Sequence, residues 1–206
     1  MTGPLLNILI RTSNRPNYFN RLIHNIESQS YKNYRLIISA DTPETKKYVE
    51  RAGYNPTPVV RLSKNKTQTF PWNLYLNILM DQVTKGWIMF MDDDDIYADN
   101  SAFDLIATFL GNESSMLVWR LLFPDGRYVP GIDFMGKTPF TRKQIAMPCF
   151  AFHSKWKRRV RFDGQRAADF RMANQLQQFL KVNWLDHALV MLDNFGNVGR
   201  PVDLKN

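Results

Sequence analysis

Four consecutive aspartates, Asp92 to Asp95, follow directly on the apolar run Trp87–Met91. Like charges this close repel one another unless a cation neutralises them. Aspartate oxygens are hard ligands suited to Mg2+ or Mn2+. Alternate residues at the extended end of a strand point to opposite sides, so one or two of the four could bind a metal while the others hold hydroxyls. A divalent ion on one or two carboxylates, with phosphate oxygens in its remaining positions, is the usual arrangement for nucleotide chemistry. The plain alternative for an acidic run is a solvated turn, with Asp99 or Asn100 capping a helix over 101–109.

The elements around the run decide between these. Leu5–Ile10 reads as a buried strand, followed by the loop "RTSNRP" and a helix with Phe19, Leu22, Ile23 and Ile26 on one face and Pro16 in its first turn. "YRLIISA" is a second strand; Thr42 and Pro43 open the next helix and Gly53 stops it. "PVVRL" predicts a third strand, Trp72 to Lys85 a helix ended by Gly86, and Trp87–Met91 a fourth strand. Such alternation implies parallel strands with crossover helices. Ligands of open α/β sheets bind beyond the carboxyl ends of the strands. Thr12–Arg15, Asp41 and Asp92–Asp95 all follow strand ends and should converge on one crevice.

The second half reads as an antiparallel extension forming one wall of that crevice. A hairpin turns at Asp125-Gly126, "IAMPCFAF" is a strand, and a helix from about Ala168 points Phe170, Ala173, Leu176 and Leu180 inward. "NWLDHALVML" closes the fold as a strand, and "DNFGNVGRPVDLKN" reads as a loose tail.

The chain of 206 residues is the size of one domain, expected over 1–206, and 44% hydrophobic residues suffice for its core. No run approaches the roughly 18 apolar residues of a membrane span. "MTGPLLNILIR" lacks the basic start and long apolar core of a signal peptide, so a reducing cytoplasmic setting is expected. The lone cysteine, Cys149, sits in an apolar segment and reads as packing. His24 reads as a surface residue, and His153 and His187 as structural histidines that could line the cleft. The net charge of +8 raises the question of a polyanion partner. Ten of the 27 basic residues crowd into 137–171, either as a solvated face or as a site for an anionic ligand.

"NILIRTSNRP", "YRLIISAD" and "WIMFMDDDDIY", in that order, resemble the nucleotide-sugar-binding half of GT-A fold glycosyltransferases of the large family-2 type. The resemblance covers about 5–110; "RFDGQRAADFRMANQL" is similar to the family's later segment, where a Glu-Asp step opens a helix. The chain also resembles glycosyltransferase domains encoded by large algal viruses, which would put it in the host cytoplasm. The resemblance implies an α/β/α sandwich, a nucleotide-binding half over about 1–110 and an acceptor-binding half over about 111–206. It also implies a metal-dependent transfer, with inversion, from a nucleoside-diphosphate sugar to a glycan or other hydroxyl acceptor.

By position, Thr12 and Arg15 would lie against the nucleotide and Asp41 would accept the imide hydrogen of a uracil, favouring a UDP-sugar. Asp93 would hold the ribose, Asp94 the Mn2+ or Mg2+ on the diphosphate, and Asp92 would be a second ligand or orienting group. Lys64 and Lys66 could reach the nucleotide, Arg or Lys from 155–166 could help the leaving group, and Asp169 would be the base. Two departures stand out: "FPWNLYLN" replaces the family's Arg-Asn-Gly-like stretch, and its Glu-Asp step is Ala168-Asp169 here.

Other readings fit less well. A nucleotidyltransferase would carry a glycine-rich loop near its first strand, and "IRTSNRPN" has no glycine. An aspartyl phosphatase would place its acidic motif after the first strand. Nucleic acid is not expected as a partner: the basic cluster lacks interleaved stacking aromatics, and four carboxylates would repel phosphates.

Overall fold

The computed structural model describes residues 3–192. Its first half is the expected alternation: β1 (Leu6–Arg11), α1 (Pro16–Glu27), β2 (Tyr34–Ala40), α2 (Pro43–Arg51), β3 (Thr57–Pro58), α3 (Asn73–Asp81) and β4 (Trp87–Asp92). β5 (Asp95–Tyr97), α4 (Ala102–Phe109), β6 (Ser115–Leu122), β7 (Tyr128–Val129), β8 (Phe150–His153), α5 (Ala168–Leu176) and β9 (Lys181–Leu192) complete it. The sheet order is β3-β2-β1-β4-β8-β6-β9-β5, with β7 paired to β6. β1 is flanked in parallel by β2 and β4, while β8 runs antiparallel to both β4 and β6. Residues Leu6 to Ile10 are all buried, including the alternating positions that face opposite sides, so the sheet is covered on both faces.

Local signals account for much of this. The Thr42 hydroxyl accepts the Thr45 amide at 3.1 Å as the N-cap of α2, with Pro43 in the first turn. Gly86, with φ of +85°, makes the turn into β4; a Cβ there would meet the Leu5 carbonyl oxygen at 2.6 Å. The buried Asn7 amide ties that turn down by donating to the carbonyls of Lys85 and Trp87.

Three expectations need correction. The third strand pairs only at Thr57 and Pro58: the Val59 amide still donates to the Ala40 carbonyl, but then the chain leaves the sheet edge, and Val60 is 80% exposed. α3 ends at Asp81, short of Lys85, because Gln82 and Val83 wind more tightly onto Leu79 and Met80. The Lys157 ammonium then collects the carbonyls of Met80, Asp81 and Val83. "IAMPCFAF" is strand only from Phe150, since Met147–Cys149 forms a 3-10 turn around Pro148, which has no N–H for a ladder. The predicted 193–206 tail lies outside the described residues.

β9 brings the second half back to the acidic run. It runs beside β6 from Lys181 to Met191, and its end also pairs on its other edge with β5, which begins at Asp95. Asn25 of α1 fixes β5 from the other side, accepting the Tyr97 amide and donating to the Tyr97 carbonyl.

Candidate active site

The parallel register sets Arg11 beside Asp92 at the carboxyl ends of β1 and β4. The Arg11 guanidinium grips both Asp92 oxygens, at 2.5 and 2.8 Å, and donates a third bond to the Asn73 side-chain oxygen. Asn73 in turn donates to the Gln165 carbonyl, in the segment leading to α5. One fork therefore joins β1, β4, α3 and the approach to α5. Charge-assisted, two-pronged bonds of this kind are the strong ones and fix orientation as well. Sequence reasoning missed Arg11, whose only local signal is a charge ending an apolar strand.

Asp92, Asp93 and Asp94 keep the alternation of a strand end, but Asp95 breaks it. The chain turns at Asp93 and Asp94, which brings Asp95 round to the side of Asp92 and Asp94. One oxygen from each of Asp92, Asp94 and Asp95 lies within 4.8 Å of the others. Asp95 was not expected here; it is fully buried, and its Oδ1 has no hydrogen-bond partner among the described residues. Asp93 faces the opposite way, into the protein. Its Oδ2 accepts from the Thr12 hydroxyl at 2.6 Å, which also lies 2.6 Å from the Tyr48 hydroxyl, and Arg15 pairs with its other oxygen. Arg15 reaches Asp94 as well, at 2.9 Å.

Burial raises the carboxyl of Asp93 to about 7, against the opposing pull of Arg15 and Thr12. Burial, reinforced by neighbouring carboxylates, raises Asp94 and drives Asp95 well above the usual range. A trio so placed, with one buried oxygen unpaired, has the donor chemistry of a hard divalent cation such as Mg2+ or Mn2+, and the residues fit one.

The other candidates lie at varied distances from this centre. Asp41, beyond the end of β2, accepts from Ser13 at 3.1 Å through Oδ2, while its Oδ1 is buried without a partner among the described residues. Asp169, in the first turn of α5, accepts the Phe170 amide at 2.8 Å. Burial raises its carboxyl, and the charges of Arg11 and Asp92 both act on it, so it stands over the same crevice. Lys66 is exposed on the loop after β3, and the Lys64 ammonium lies over the rings of Phe70 and Trp72.

The basic run over 155–161 is not at the crevice. β8 pairs His153 with Trp87, at the start of β4, so the segment beginning at Ser154 leaves from the opposite end of the sheet. That sets 155–161 against the suggested help to a leaving group from 155–166, whereas Arg166 follows Gln165, whose carbonyl Asn73 binds beside the crevice. His153 shares that end, its Nε2 3.4 Å from Glu113; His24 and His187 are exposed. Cys149 is buried packing, as expected.

A parallel core, an antiparallel extension and an acidic step where β4 ends define a GT-A-type domain. The model of glycosyl transferase family 2 matches residues 7–162, and the chain belongs to that family. TarS from S. aureus, in a structure of its residues 1–349, is similar at 18% identity over 90% of this chain and 59% of that one, with a TM-score of 0.69. The same protein has been solved in complex with UDP and with UDP-GlcNAc. A mannosyltransferase from Pyrobaculum calidifontis, solved with GDP-Man and Mn2+, is similar at 12% identity over 93% of this chain and 57% of that one, with a TM-score of 0.64. The chain thus spans a little under three fifths of these solved chains. No curated protein sequence matches it. Among the described residues, no helix is long and apolar enough to cross a membrane.

Proposed function

We propose that this chain moves a sugar from a nucleoside-diphosphate sugar, with a UDP-sugar favoured, to a hydroxyl of a glycan or other acceptor, inverting the sugar carbon. The observation that carries the reading is the convergence of Asp92, Asp94 and Asp95 at a strand end of a family-2 domain. Donors of this class are bound by TarS and by the mannosyltransferase, which supports the reading.

Asp94 and Asp92, joined by Asp95, would hold Mn2+ or Mg2+. The ion supplies positive charge against the leaving diphosphate. Asp41, with one buried oxygen unpaired, is suited to accept the N–H of a uracil. Asp93 is turned towards Thr12 and Arg15, so in place of the ribose contact expected from the sequence its contribution to the nucleotide, supported by Thr12, runs through holding that guanidinium. Lys66 stays a candidate for the nucleotide because its loop follows β3. Asp169 takes the acceptor's hydroxyl proton as that oxygen bonds to the sugar carbon. The bond from carbon to diphosphate oxygen breaks, and its electron pair leaves with the diphosphate. A carboxyl raised by burial holds that proton better than an exposed one does. In this reading 1–206 is one catalytic domain, with the nucleotide on about 1–110 and the acceptor on about 111–206. The proposed setting is the cytoplasm, where the buried Cys149 thiol stays reduced.

A thermal-shift screen of UDP, TDP and GDP, each with and without Mn2+, tests this. The expected result is stabilisation by UDP that needs Mn2+ and vanishes in Asp94→Asn, whose own fold is no less stable because one repelling charge has gone. An equal shift without metal, or in Asp94→Asn, would sink the reading.

A further inference from the structure

Two arginines meet the carboxylate step, and they hold it differently. Arg11 ties Asp92 on one side and Asn73 on the other, so its fork is fixed between separate elements. Arg15 bridges two successive carboxylates, Asp93 and Asp94. The ends of that bridge are not equivalent. Asp93 is fully buried and pinned by Thr12, itself in contact with Tyr48. Asp94 is 13% exposed at its side chain and belongs to the converging trio. One end is an anchor; the other covers an oxygen of the trio.

We propose that Arg15 is a positioning residue with an exchangeable arm. In the metal-free protein its Nη1 satisfies Asp94, and it must give up that oxygen when a divalent cation binds there. The Asp93 end keeps the guanidinium in place, so the released arm turns to the nearest new anion, the diphosphate of a bound nucleotide. This rests on the reading of the trio as a metal and nucleotide site. The physical ground is that a guanidinium only donates and cannot lose its charge, so it competes with any cation for the same oxygen. Its planar fork also suits phosphate oxygens. Arg15 therefore opposes metal binding when the protein is free and supports nucleotide binding once the metal is in place.

Two titrations of the full chain separate these effects: Mn2+ alone, followed by electron paramagnetic resonance, and UDP at saturating Mn2+, followed by calorimetry. In Arg15→Gln, Mn2+ alone should bind about tenfold tighter, on the scale by which a charge within ~4–6 Å shifts a neighbouring equilibrium. UDP should bind roughly tenfold weaker, as expected for one lost charged hydrogen bond. Because this variant leaves Asp93 buried without its cation, the double variant Arg15→Gln/Asp93→Asn is measured beside it and should give the same opposed pair. Mn2+ affinity that is unchanged or weaker in whichever variant folds overturns the exchange. Asp94→Asn is the control for the underlying reading. If it takes up Mn2+ as well as the unaltered chain does, the trio is not the metal site and the exchange falls with it. Loss of Mn2+ in Asp94→Asn with no gain in the Arg15 variants overturns the exchange alone.

Discussion

The chain carries two dense runs of like charge, Asp92–Asp95 and Lys155–Arg161, and the fold uses them in opposite ways. The acidic run ends β4, is largely buried, and turns three of its carboxylates onto one point. The basic run follows β8, which is antiparallel to β4, and so comes off the far end of the sheet. Four of its five cations are spent one at a time: Lys155 on Glu113, Lys157 on the end of α3, Arg159 over the rings of Trp156 and Phe179, and Arg161 on Asp81. A run of charge becomes a site when the fold buries it and aims it at one place. Strand direction decided which run that was.

If that contrast holds, changes at the crevice end should alter the reaction, and changes at the far end should alter only stability. The largest expected effect is at Asp169. Asp169→Asn keeps size and shape but cannot take a proton, so kcat should fall by roughly 10²–10⁴ while UDP affinity with Mn2+ persists. Near-normal transfer would reduce Asp169 to a helix-end carboxylate that merely favours the dipole of α5. Next comes Asp41→Ala, which removes the unpaired oxygen proposed to meet the base. It should weaken UDP and a UDP-sugar alike, by about tenfold, the scale of one hydrogen bond to a charged group. Weakening confined to the sugar-bearing ligand, with UDP unaffected, would move Asp41 away from the base.

The parts legible in the sequence were those governed by neighbours along the chain. β2 matches its apolar run, and α2 begins where Thr42 and Pro43 mark a cap and a first turn. Gly126, with φ of +83°, sits in the predicted hairpin turn between β6 and β7. What was not legible depends on contacts distant in sequence. Val59 and Val60 have strand-forming side chains, but the chain makes its last bond to β2 at the Val59 amide and then leaves the sheet edge. Strand alternation held for Asp92 to Asp94 but failed at Asp95, because the turn at Asp93 and Asp94 swings Asp95 onto the side of Asp92 and Asp94. Arg11 acquires its meaning only from a register that pairs it with a residue 81 positions on.

The smallest effect, and the sharpest check on the contrast, concerns Lys157. Its ammonium donates to three carbonyls at the end of α3, with the bond to Val83 at 2.5 Å, and its stem is half-buried. The Met80 carbonyl also takes the Val83 amide, while those of Asp81 and Val83 lie at and just past the helix end, where carbonyls lack helical partners and a cation also meets the negative end of the dipole. Lys157→Met keeps the stem's length and packing and removes only the charge and the donors. The expected cost is about 1 kcal/mol of stability, since water takes over part of the bonding at this partly exposed position. Urea denaturation should show a lower midpoint with an unchanged slope. Mn2+ affinity, UDP affinity and transfer should all stay within about twofold, because the change is at the opposite end of the sheet and is screened by salt over roughly 10 Å. A loss of UDP affinity in a well-folded Lys157→Met would mean that the basic run does reach the nucleotide, and the two charge runs would then belong to one site.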